Sequence, residues 1–216
     1  MYERKLTDEE KEYLKQIVEF VKEKHAGSEG HDYSHVLHVT ELAMEIAEKI
    51  PEKADPFLIA TGALLHDIGR VNRESGTFHG LEGAAIAEEY LEATGVDFET
   101  MEKITRIIVR HTPTSMIPPE SIEEKAVFDA DTLDRQGWMG VLRGLLGKRG
   151  SIEEIFDYVI KKRKADYDKL KFDVSKEMGK EDHKELEFLV DRMEKALEER
   201  KKELEIIEFL EMKNVV

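Results

Sequence analysis

The chain has no cysteine, which excludes a disulfide framework, thiolate metal sites and cysteine nucleophiles together. Any metal must therefore be held by imidazole and carboxylate. Long apolar runs are also missing: none approaches the roughly 20 residues that span a bilayer, and the start "MYERKLTDEEKEYL" is charged and amphipathic rather than an apolar signal segment. A cytoplasmic protein without a membrane partner is expected. Basic residues are in deficit, 33 against 48 acidic ones for a formal net charge of −15. Such a field repels extended nucleic acid unless a local cationic patch overrides it. With 216 residues there is enough chain for one sizeable core, so a single domain over 1–216 is the expectation, acting as a monomer or a homodimer.

No alternating Val, Ile or Thr runs bounded by hairpin turns occur, and an all-α helical bundle follows. Thr7 and Glu10 form a capping-box signature ahead of a stripe through Leu14, Val18 and Val21; Ser121 with Glu124 and Ser151 with Glu154 repeat it. Pro51 ends the second helix, while Pro56 opens "PFLIATGALLHDIGR", apolar enough to cross the core. Gly95 closes the helix after "LEGAAIAEEYLEATG". The segment from about 151 to 212 carries apolar positions at Leu186, Leu189, Met193, Leu197, Leu204 and Ile207, a stripe expected to pack on the core.

Chemistry concentrates in a few segments. In "HDYSHVLH", His31 and His35 are spaced as in an H-E-x-x-H zinc helix, which would make a metallopeptidase. Asp32, however, is one methylene short of the required Glu and stands where a helix N-cap belongs, so His31 falls off the helix. His35 then needs partners from elsewhere. "ALLHDIGR" supplies His66 and Asp67 at the end of a very apolar helix, where an unpaired carboxylate is costly to bury and a divalent cation removes the cost. "VFDADTLD" offers a third acidic corner.

The order His, then His-Asp, then Asp resembles the HD-domain superfamily of metal-dependent phosphohydrolases over about residues 14–145. The resemblance implies that His35, His66, Asp67 and Asp131 hold one divalent metal inside a helical bundle; Asp131 is preferred to Asp129 and Asp134 because "ADTLD" matches the family's Ala-Asp-x-Leu-Asp. A nitrogen and oxygen donor set suits Mn²⁺, Fe²⁺, Co²⁺ or Ni²⁺, with Mg²⁺ and Zn²⁺ as second choices. His79 and His111 stand where some family members hold a second metal, yet Thr112 replaces the adjacent histidine of those members. One metal is therefore expected, with His79 and His111 left for substrate contact or proton transfer, and Asp67 able to orient water as well as ligate. His38 is placed beside the site or on substrate phosphate. Of the four nearby arginines, Arg70, Arg110, Arg135 and Arg143, the two inside motif segments, Arg70 and Arg143, are expected to meet phosphate. His25, His31 and His183 are assigned to the surface and Trp138 to the core.

Similarity to the small stand-alone members implies a nucleotide substrate: hydrolysis of a nucleoside triphosphate to monophosphate and pyrophosphate by attack of a metal-bound hydroxide. A 5'-nucleotidase, a cyclic-nucleotide phosphodiesterase and a non-catalytic metal-stabilised sensing module are the alternatives.

Overall fold

The structure, a computed structural model, describes residues 2–26, 32–71, 78–115 and 117–213, and their side chains except at 71 and 206–213. His31 lies outside the described residues. Helices dominate throughout, and the one β-bridge among the described residues joins Tyr2 to Ala54. The all-α expectation holds. None of the described helices is long and apolar enough to cross a membrane.

Helix α1 (Asp8–Lys24) starts at the Thr7–Glu10 capping box, and α2 (Tyr33–Lys49) at Asp32, whose side chain accepts from the His35 N–H. Pro56 occupies the first turn of α3 (Pro56–Leu65), every residue of which is buried. A helix apolar all round has no solvent face, so α1, α2, α5 (Phe98–Arg110) and α6 (Ile122–Asp134) must surround it. Ile17, Val39, Ile46, Ile59, Leu65, Ile104 and Ile108 are fully buried in the resulting core. Between α3 and α5 lies α4 (His79–Ala93), ended by Gly95 at φ 81°.

Past α6, α7 (Gly137–Leu145) and the short α8 (Ile152–Ile155) lead into a π-helical turn at Phe156–Lys161, then α9 (Lys162–Asp166), α10 (Asp173–Met178) and the long α11 (Lys180–Lys213). These elements own a second apolar cluster, Val141, Phe156, Ile160, Leu186 and Val190, with Leu189, Met193 and Leu197 against it. The α11 stripe thus packs chiefly on α7 and the π turn rather than on the main core. Leu204 is half exposed, beyond the end of that contact.

Three sequence expectations fail on burial. Trp138 is 56 % exposed because α7 turns Gly137, Gly140, Val141 and Gly144 inward and leaves 138 outside. His25 is buried at the end of α1, and His183 stacks on Tyr167, ring centroids 3.8 Å apart.

Candidate metal centre

The interior helix α3 stops at Leu65, and the chain tightens into a 3₁₀ turn at Ile68–Val71, with the Arg70 N–H donating to the Asp67 carbonyl at 2.9 Å. That turn presses on the start of α4. A Cβ at Gly69 would lie 2.1 Å from the His79 carbonyl oxygen, so only glycine permits the approach that sets Asp67 beside His79. His35 lies on the first turn of α2, His111 caps the C-terminus of α5, and Asp131 sits in the last turns of α6.

These side chains converge. His35 Nε2 is 3.2 Å from His66 Nε2, 3.3 Å from Asp67 Oδ2 and 3.8 Å from Asp131 Oδ1. His66 Nε2 is 3.6 Å from Asp67 Oδ2. On the other side of the same carboxylate, Asp67 Oδ1 is 3.4 Å from His111 Nε2 and 3.6 Å from His79 Nε2, which are 3.3 Å from each other. All six side chains are buried. Two groups of three therefore stand side by side, His35–His66–Asp131 and Asp67–His79–His111, each with ligand atoms within 4.8 Å of one another.

Proton placement makes these groups fit a cation. His66 Nδ1 donates to the Ala63 carbonyl at 2.6 Å and His111 Nδ1 to the Ile108 carbonyl at 2.6 Å, which leaves each Nε2 as a lone pair directed inward. His35 Nδ1 lies 2.7 Å from Asp134 Oδ2, a carboxylate that accepts its proton and turns the His35 Nε2 lone pair toward that of His66. Donor atoms bound 2.0–2.2 Å from one ion stand about 3.0–3.4 Å apart, close to the separations here. Burial pushes the His66 imidazole down to about 3, so it is neutral at physiological pH. Burial would raise Asp131, but the Arg135 guanidinium, with its Nη1 4.0 Å from Oδ2, and the neighbouring imidazoles hold it below the usual carboxylate range.

Asp129 and Asp131 are two residues apart on α6 and so face opposite ways. Asp129 accepts from the backbone N–H groups of Lys171 and Phe172 at 2.8–3.0 Å, a structural task that keeps it away from the histidines. Asp134 lies one turn beyond Asp131 and belongs to neither group of three; its role goes beyond the sequence expectation. It binds His35, His38 Nδ1 at 2.5 Å and the Arg143 guanidinium at once. The available signal was its i+3 spacing from Asp131, together with the rule that a ligating imidazole needs an acceptor for its other nitrogen. Asp134→Asn is expected to weaken metal affinity by about 10–100-fold, read by titrating the metal-free protein calorimetrically. Unchanged affinity would show that His35 needs no such partner.

A cleft of about 330 Å³ opens beside Asp131. Its cationic lining is Arg70, Arg135, Arg143, Arg163, Lys148 and Lys162, against the single carboxylate of Asp131. This is the local patch that an acidic chain needs in order to take up an anion. Gly144 makes room for it, since a Cβ there would meet Arg163 Nε at 2.4 Å. Burial, then the charges of Arg135 and Arg143, pushes Arg163 down to about 9. Arg135 and Arg143 each keep a buried Nε–H without an acceptor among the described residues. Arg70 donates to Asp67 Oδ1 at 2.9 Å and also lines the cleft. His38 is half exposed and does not line it, and Arg110 is tied to Glu120 and Glu124. No sequence motif marks Arg163, Lys148 and Lys162, which follow the last recognisable one.

Comparison with known proteins gives a consistent picture. The HD domain family matches residues 32–136. The YpgQ protein of Bacillus subtilis strain 168 is 33 % identical over 183 residues, 79 % of this chain and 86 % of that one. Its crystal structure in complex with ADP superposes with a TM-score of 0.65 at 28 % identity, covering 87 % of this chain and 96 % of that chain. An HD-superfamily hydrolase of Bacillus thuringiensis shares the fold, with a TM-score of 0.64 at 24 % identity over 88 % and 98 % of the two chains.

Proposed function

The chain belongs to the HD-domain superfamily of metal-dependent phosphohydrolases, and on that premise we propose that it hydrolyses a phosphate ester or anhydride of a small nucleotide, foremost a nucleoside triphosphate to monophosphate and pyrophosphate. The observation that carries this reading is the cleft of clustered guanidinium groups sharing Asp131 with the histidine cluster. Arg70, Arg135 and Arg143 each have a carboxylate partner, Asp67, Asp166 and Asp134 in turn, and the N–H donors left over beside Arg163 suit phosphate oxygens, which guanidinium matches in bidentate fashion. YpgQ was crystallised with ADP, which supports a nucleotide as that anion.

His35, His66, Asp67 and Asp131 are the proposed ligands of one divalent ion, with Mn²⁺, Fe²⁺, Co²⁺ or Ni²⁺ suited to their nitrogen and oxygen donors. When bound, such an ion supplies Lewis acidity that makes a bound water more acidic and polarises a phosphoryl oxygen. The protein's own groups do the rest. Arg70, Arg135, Arg143 and Arg163 bind and orient the phosphate chain and offset the charge that builds on its oxygens. Asp67 or Asp131 would orient the attacking water through an oxygen not needed to hold the ion. Residues 1–216 act as one unit in this scheme, because α9 and the π turn complete a cleft whose floor belongs to α6.

A second reading has its own observation. Asp67, His79 and His111 form a group as tight as the first, without any residue at position 112 taking part. A second ion there would turn His79 and His111 from substrate contacts into ligands. The metallopeptidase alternative is weakened by His35 Nε2 meeting His66 from another helix.

The test is a panel of nucleoside triphosphates, monophosphates and cyclic nucleotides, given to EDTA-stripped protein with and without Mn²⁺. Pyrophosphate release from triphosphates only with metal is expected. A Mn²⁺-induced rise in Tm with no turnover of any nucleotide would favour the sensing module instead.

A further inference from the structure

The cleft has two chemically different ends. Its inner end is Asp131, Arg135 and Arg143, with guanidinium side chains only 13 % exposed. At its lip stand Tyr158, 77 % exposed, and Leu146, 50 % exposed. Tyr158 belongs to the π-helical turn Phe156–Lys161, in which Phe156 and Ile160 are buried in the second apolar cluster. The widened turn carries Tyr158 and Val159 to the cleft while those two anchors stay fixed. Single π turns inside helical segments recur at functional sites, where they re-aim a side chain at modest cost to the ladder.

We propose that Tyr158, backed by Leu146, is the platform on which the base of the bound nucleotide stacks. The inference rests on the phosphate-binding reading of the inner end given above. A nucleotide is a polyanion that ends in an aromatic plane, and the cleft presents the matching sequence of a partly buried cationic floor and an aromatic and aliphatic lip. Recognition of the base thereby falls to residues beyond 136, outside the segment matched to the family. Every base offers a π face, so stacking of this kind tolerates all four.

The rival location is the apolar pocket of Phe78, Leu81, Val109 and Ile117, which meets the cleft at Thr114. Calorimetric binding of ADP and of inorganic pyrophosphate to the Mn²⁺-loaded protein separates the two. Tyr158→Ala is expected to raise the Kd for ADP about tenfold while leaving that for pyrophosphate unchanged, with Tyr158→Phe binding both like the parent protein. Replacing ADP by GDP, CDP or UDP should give a similar loss. Unaltered ADP binding, an equal loss for pyrophosphate, or a nucleotide-specific loss in Phe78→Ala rather than Tyr158→Ala would overturn the platform. Because the readout is binding, a failed hydrolysis panel would remove the proposed reaction and still leave this placement to stand or fall by its own result.

Discussion

Asp67→Ala is expected to lower turnover by at least about a thousandfold and to abolish the Mn²⁺-induced rise in Tm, while far-UV circular dichroism stays that of a helical protein. The size follows from its position. One carboxylate oxygen faces His35 and His66 and the other faces His79 and His111, so removing it empties both groups of their shared anion. Turnover and metal retention should fall together, since the same two oxygens serve both. Secondary structure should survive because the interior of α3 packs through apolar contacts that end at Leu65. Arg70 loses its acceptor at Oδ1 in this variant, and Arg70→Ala serves as the control for that loss in the Mn²⁺-induced Tm rise, though not in turnover, since Arg70 also lines the phosphate cleft. Retained metal binding together with retained turnover would contradict the role given to Asp67.

Arg143→Ala is expected to reduce kcat/KM by about a hundredfold or more, with a weaker grip on metal as well. Two functions meet in this guanidinium. It lines the phosphate cleft, and it is paired with Asp134, whose other contacts are His35 and His38. Truncation leaves the Asp134 carboxylate, only 8 % exposed, without its cationic partner, and the orientation of His35 depends on that carboxylate. Arg143→Lys should recover little, because an ammonium cannot reproduce the planar fork that reaches the carboxylate and a phosphate together. Steady-state kinetics at saturating Mn²⁺ isolate the phosphate contribution, and metal titration isolates the other. Wild-type kcat/KM in Arg143→Ala would remove Arg143 from the phosphate site, and an unchanged metal affinity would remove it from the support of His35.

Much of this arrangement was legible in the residues themselves. Helix starts announced themselves because a cap satisfies backbone donors locally: Thr7, Asp32, Ser121 and Ser151 all cap as their spacing implied. The apolar run from Pro56 could only be an interior helix, so the polar pair at its end had to be compensated inside the protein. The pair His66 and Asp67 was readable for the same reason, whereas its joining to His35 and Asp131 came from the resemblance to the HD-domain superfamily. What escaped notice depends on contacts between distant segments. Asp134 looks like Asp129 in sequence, yet one reaches the histidines and the other holds the backbone of Lys171 and Phe172, because they lie on different faces of α6. Arg163 enters the cleft only because Gly144 leaves space on α7. The π turn at Phe156–Lys161 has no periodicity of its own to read, and Trp138 sits on the outer side of a helix whose inner side is mostly glycine.

Anomalous diffraction at the manganese edge, from crystals of the Mn²⁺-loaded protein, tests the central claim most directly. The account predicts a peak in contact with His35, His66, Asp67 and Asp131 at the end of the cationic cleft, with any second peak on the His79 and His111 side of Asp67. Density at some other place on the surface, or no peak among these side chains at full Mn²⁺ loading, would contradict it.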